Sequence, residues 1–60
     1  MQVSVNGKTV QVRPGLQVKH ALIQAGEMDR IAAGLKAYDQ WGNELGLDGA
    51  LLPGVNIFVR

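Results

Sequence analysis

The chain reads as an α+β domain: a mixed sheet of four or five strands with one main helix laid across a face. Three observations predict this. Residues 1–12 alternate as a two-sided hairpin around Asn6-Gly7, an apolar stripe follows at Val18, Ala21, Leu22 and Ala25, and residues 55–59 form an uncharged closing strand.

Asn-Gly suits the centre of a type I′ turn, because that turn needs φ > 0 at both central residues. A two-residue loop there sets Val5 opposite Lys8, Ser4 opposite Thr9, Val3 opposite Val10, Gln2 opposite Gln11 and Met1 opposite Val12. Met1, Val3, Val10 and Val12 then share one face, and Gln2, Ser4, Thr9 and Gln11 share the other. A slip of one residue would turn the valines into water, so the register is specified. Pro14-Gly15 ends the second strand in a turn. The i, i+3, i+4, i+7 spacing of the apolar stripe predicts a helix over residues 17–25, with Gly26 as the left-handed residue that stops it. Gln17 is a poor N-cap, so the first turn is expected to fray. Ile23 lies off the stripe and is expected beside a loop.

Residues 27–34 carry weaker patterning. Met28, Ile31 and Leu35 have loose helical spacing, Asp29 suits a cap, and Gly34 with Ala32-Ala33 leaves little to bury. An irregular crossover that delivers Met28 or Ile31 to the core is expected, rather than a long second helix. Residues 35–38 read as a strand, and 39–42 as a type I turn with Asp at its first position and Gly42 closing it. The return strand falls over 43–47. Residues 48–52 read as a tight turn, one turn of 3₁₀ helix with Leu51 pointing inward, and Pro53-Gly54 is a further turn signal. The final strand has no charge, which suits an interior place in the sheet. The two terminal strands can then be parallel neighbours joined by the helix-bearing crossover.

Sixty residues make one domain, 1–60, near the lower limit for independent folding. A hydrophobic content of 47% argues against wholesale disorder. With no cysteine in the sequence, disulfides, iron–sulfur clusters, thiolate zinc sites and a cysteine nucleophile are excluded. Six basic and five acidic residues give a net charge of +1 with no run of either sign, which argues against nucleic acid as partner. No apolar stretch approaches the roughly 20 residues of a membrane span. The first residues lack the basic-then-apolar order of a secretory signal. A cytoplasmic location without membrane contact is the expectation.

Taken together, Val5-Asn6-Gly7-Lys8, Pro14-Gly15, Val18-x-x-Ala21-Leu22-x-x-Ala25-Gly26 and Leu51-x-Pro53-Gly54-x-x-Ile57-x-Val59 resemble the β-grasp (ubiquitin-like) fold. The pattern is most similar to the sulfur carriers of thiamin and molybdopterin synthesis and to TGS domains. It spans nearly the whole chain, but its motifs specify backbone geometry and core rather than chemistry. The resemblance implies a module that binds other proteins through one sheet face. Sulfur carriers of this kind end in a flexible Gly-Gly tail, whereas this sequence ends in Phe58-Val59-Arg60. Carrier chemistry is therefore expected only if the native chain continues beyond Arg60. A TGS-like contact with nucleic acid or the ribosome would need a basic face, and Lys8, Arg13, Lys19, Arg30, Lys36 and Arg60 are scattered.

Candidate catalytic, metal and cofactor residues number none. His20 is the one histidine, beside Lys19 and off the apolar stripe, which predicts an exposed helix residue. Glu27, Asp29, Asp39, Glu44 and Asp48 lack ligand spacing, so no metal or other cofactor is expected. Asp39 and Asp48 each precede a turn, where a carboxylate accepts local N–H bonds. Glu27, Asp29 and Arg30 read as a solvated patch. Trp41 stands apart, because a turn of Asp, Gln, Gly and Asn has no local need for the largest apolar side chain. Either it folds back on Tyr38 and the sheet, or Trp41 with Tyr38 contacts a partner, another protein or a second copy of this chain. The function expected is that of a small non-enzymatic protein-interaction module.

Overall fold

A computed structural model describes residues 1–60 as a five-stranded mixed sheet with two short helices. The strands are β1 (Gln2–Val5), β2 (Lys8–Gln11), β3 (Ala37–Tyr38), β4 (Glu44–Leu45) and β5 (Asn56–Val59). The helices are α1 (Val18–Gln24) and α2 (Met28–Ala32). The sheet order is β2-β1-β5-β3-β4, with β1 and β5 parallel at its centre and the other pairs antiparallel.

The β1–β2 register is the one the alternation demands, from Gln2 opposite Gln11 to Val5 opposite Lys8. Asn6 and Gly7 sit at φ 50° and 81°, both left-handed, as a type I′ loop requires. The ladder extends to Met1 and Val12, where the Val12 N–H donates to the Met1 carbonyl at 2.8 Å. Beyond the turn, Asn6 Oδ1 accepts the Val59 N–H at 2.9 Å, so the loop residue also continues the pairing of β1 with β5.

The start of α1 departs from the fraying expected of a poor cap. The N–H groups of Val18 and Lys19 donate to the carbonyls of Gly49 (2.9 Å) and Leu47 (3.0 Å). The Gln17 N–H donates to His20 Nδ1 at 2.9 Å. Helix-start donors need acceptors from any source, and here a distant loop supplies them. That loop is a β-turn closed by Gly49 N–H on the Gly46 carbonyl, in place of the expected 3₁₀ turn, and Leu51 beyond it is buried as expected.

Both helices end in the same way. At α1, Gly26 (φ 74°) donates to Ile23 and Glu27 donates to Leu22; at α2, Gly34 (φ 106°) donates to Ile31 and Leu35 donates to Arg30. Each is a Schellman closure on a glycine. The segment expected to be an irregular crossover is therefore a capped helix, short because Gly34 stops it, and the sheet carries two helices rather than one main one. Met28 and Ile31 both pack against the core.

The core is wholly aliphatic. Val3, Val5, Ile57 and Val59 point from the sheet towards Val18, Ala21, Leu22 and Ala25 of the α1 segment, with Val12, Ala37 and Leu51 completing it. Leu22, Ala21, Val5 and Ile57 are completely shielded from water. A side chain the size of Leu22 gains about 1.5–3 kcal/mol from that burial. No helix is long and apolar enough to cross a membrane.

Candidate functional site

Because both helices' apolar residues and the core lie on one side of the sheet, the alternate residues of each strand face outward uncovered. On β5 this sets Asn56 and Phe58 outward while Ile57 and Val59 are buried. The uncharged final strand is thus interior by its neighbours, as expected, but open on one face. Tyr38 on β3 pairs directly with Phe58 and, on its other side, with Glu44 of β4. The Arg60 guanidinium lies over the Tyr38 ring, 4.8 Å from its centroid, a cation–π contact. Phe58 is 39% exposed.

The β3–β4 connection carries Trp41. The Asp39 carboxylate organises this turn: Oδ1 accepts the N–H groups of Trp41 and Asn43, each at 2.9 Å, and Oδ2 accepts Asn43 Nδ2 at 3.2 Å. The backbone closes the same loop through Asp39 N–H to Asn43 O (2.9 Å) and Gly42 N–H to Asp39 O (3.1 Å), with Gly42 at φ 84°. Desolvation pushes the Asp39 carboxyl upward, but hydrogen bonds from Asn43, Trp41 and Gly42 outweigh it and hold the acid below its ordinary value. On this fixed turn the Trp41 side chain is 75% exposed. It does not fold into the core or shelter against the sheet.

The chain has one Trp, one Tyr and one Phe, and none of the three belongs to the core. Aromatic side chains bring the largest apolar areas of any residues, and a small core would ordinarily recruit them. Of the two candidates that sequence singles out, Tyr38 is half-buried on the open face and Trp41 stands on the adjoining turn. Phe58 and Arg60 were missed. The outward phase of Phe58 between Ile57 and Val59 is a usable signal, which an interior place in the sheet does not by itself bring out because it leaves open whether either face is covered.

Beside the aromatic pair lies a shallow depression of about 270 Å³ lined by Gln2, Ser4, Thr9 and Asn56, with Ser4 Oγ bonded to Asn56 Oδ1 at 2.6 Å. It offers amides and hydroxyls and no titratable group. A second groove, of about 250 Å³, runs between Ile31–Ala37 and β4 and is bordered by the exposed Lys36–Glu44 ion pair at 3.7 Å.

The remaining polar residues have structural posts. His20 is half-buried rather than exposed, its Nδ1 engaged at the start of α1. Glu27 is not part of a solvated patch. It is 6% exposed, at the position after the glycine stop where an apolar residue normally packs back on the helix. Arg30 Nε approaches its Oε2 at 3.3 Å, and Asp29 and Arg30 are exposed. Asp48 pairs with Lys19 at 3.5 Å. No three His, Cys, Asp or Glu side chains converge as a metal site would need.

Against known proteins, no family model, no curated protein and no solved structure matches the chain.

Proposed function

We propose that this chain is a non-enzymatic protein-binding module of the β-grasp type, whose contact surface is the open sheet face with the Trp41 turn at its edge. The observation that carries this reading is the placement of all three aromatic side chains outside an aliphatic core, with Trp41 presented on a turn fixed by Asp39. Fixing the backbone that carries a large side chain before binding lowers the ordering cost of association. Trp, Tyr and Arg are also the residues that most often dominate binding energy. Support for the β-grasp type comes from the sheet order, with parallel terminal strands at the centre and the helices on one face. A TGS-like contact with single-stranded nucleic acid is a second reading, favoured by Arg60 lying over Tyr38 beside Phe58.

The deciding experiment is affinity capture from the native source with wild type and with Trp41→Ala, followed by affinity measurement on the captured partner. Loss of about 2 kcal/mol or more, roughly thirtyfold, is expected for the variant. Undiminished binding by a folded Trp41→Ala protein would overturn the role of this turn. A captured nucleic acid whose affinity falls steeply with salt would favour the second reading.

A further inference from the structure

We propose that Asn6 is a self-modification site, losing its side-chain amide to attack by the Gly7 backbone nitrogen at a rate gated by the hydrogen bond from Val59. Gly7 has no Cβ, nothing packs within 4 Å of where one would be, and both residues are exposed at the hairpin tip. None of the turn and loop hydrogen bonds engages the Gly7 N–H. The attacking nitrogen is thus unhindered and unpaired. Ring closure joins Gly7 N to Asn6 Cγ and breaks the bond from Cγ to the amide nitrogen, which leaves as ammonia with the proton of the Gly7 N–H. Water then opens the succinimide at one of its two carbonyls, giving aspartate, or isoaspartate with the backbone running through the former side chain.

The fold restrains this reaction. Asn6 Oδ1 is held by the Val59 N–H at 2.9 Å, directed towards β5, and the backbone at both residues is committed to the left-handed turn. Closing the ring requires the side chain to leave Val59, so the chemistry follows local opening of the hairpin from β5. The two products are not equivalent. Aspartate keeps an oxygen for the Val59 N–H and keeps the two-residue loop. Isoaspartate lengthens the backbone between Val5 and Lys8, whose pairing sets the register of β1 on β2. The other asparagines precede Glu44 and Ile57, whose side chains crowd the following nitrogen, so they serve as internal controls.

The test is peptide mapping by mass spectrometry after incubation of the whole chain at mildly alkaline pH, in native buffer and in unfolding concentrations of urea. Conversion is expected at Asn6 and not at Asn43 or Asn56, faster in urea by about tenfold or more, since reaction through an open state tracks its population. Equal rates with and without urea would overturn the gate. No conversion at Asn6 in urea would overturn the site itself. Gly7→Ala, compared in urea where folding plays no part, is expected to slow the reaction, and an unchanged rate would rule out ring closure through that nitrogen.

Discussion

The two hairpins of this sheet sit towards opposite edges and hold their shape by different means. In β1–β2 the turn uses no side-chain hydrogen bond of its own: four cross-strand pairs and a loop of two left-handed residues shape it, and buried valines fix the phase. In β3–β4 only two pairs form, and the turn depends on one carboxylate gathering the N–H groups of Trp41 and Asn43. The first hairpin belongs to the core, because Val3 and Val5 meet α1 beneath it. The second contributes little buried area and carries the most exposed large hydrophobic side chain of the chain. A small domain has few residues to spare for both tasks, and here folding and display fall on different strands.

The sharpest way to break this division is from below. Leu22 is fully buried in α1 under the first hairpin, and Leu22→Ala is expected to cost about 2–5 kcal/mol. A domain near the lower size limit has only a few kcal/mol of stability, so the variant should be largely unfolded at room temperature by denaturant titration. An unchanged midpoint would mean that α1 does not support the sheet as described.

Next come the two residues of the first loop. Gly7→Val forces a β-branched residue to φ 81° and is expected to cost about 1–3 kcal/mol. Turn chemistry alone would make Asn6→Gly nearly neutral. The bond from Val59 changes that, and losing it should cost about 0.5–1.5 kcal/mol. Thermal melts of the two variants should therefore rank Gly7→Val below Asn6→Gly, with both below wild type. Equal tolerance would contradict the type I′ loop.

The same contrast explains what was legible in the sequence. Asn6-Gly7 and the alternating valines act through nearest neighbours and a period of two, so the register could be read directly. The α1 stripe and the Gly26 stop are equally local. The start of α1 was not legible, because its acceptors are carbonyls of Leu47 and Gly49, about thirty residues away in the chain. Gly34 beside Ala32-Ala33 reads in the sequence as a segment with little to bury, although it repeats the Gly26 closure. What hid it was the brevity of α2, whose five residues give too short a stretch for periodicity to register. Glu27 was misread because a charged residue is normally solvated, and only the Schellman geometry turns it inward. At the candidate site, composition pointed to Trp41, but the open face that unites Tyr38, Phe58 and Arg60 appears only once β5 is placed between β1 and β3.

A smaller effect separates the hairpins by pH. The Asp39 carboxyl has a pKa below its ordinary value in the folded chain, so the stability it lends is fully present above the unfolded-state value and is lost as pH falls through the lowered folded value. Amide resonances of Trp41 and Asn43 should shift together in that acidic window, while those of Val5 and Lys8 at the first loop stay in place. A common titration of both loops would show that Asp39 is not specific to the second.

The smallest effect on folding is expected where the effect on binding is expected to be largest. With three-quarters of Trp41 in water, Trp41→Ala removes few contacts that the unfolded chain lacks, and its stability change should lie within about 0.5 kcal/mol, as for surface positions generally. The turn itself should persist, because the Asp39 bonds go to the Trp41 backbone and not to its ring. Equilibrium denaturation measures the first point, and the Asn43 amide resonance, which reports the Asp39 bond, measures the second. A loss comparable to that of Leu22→Ala would return Trp41 to the core and collapse the distinction between the two hairpins. Unchanged stability together with weakened association would place the folding determinants in the first hairpin and the recognition determinant in the second.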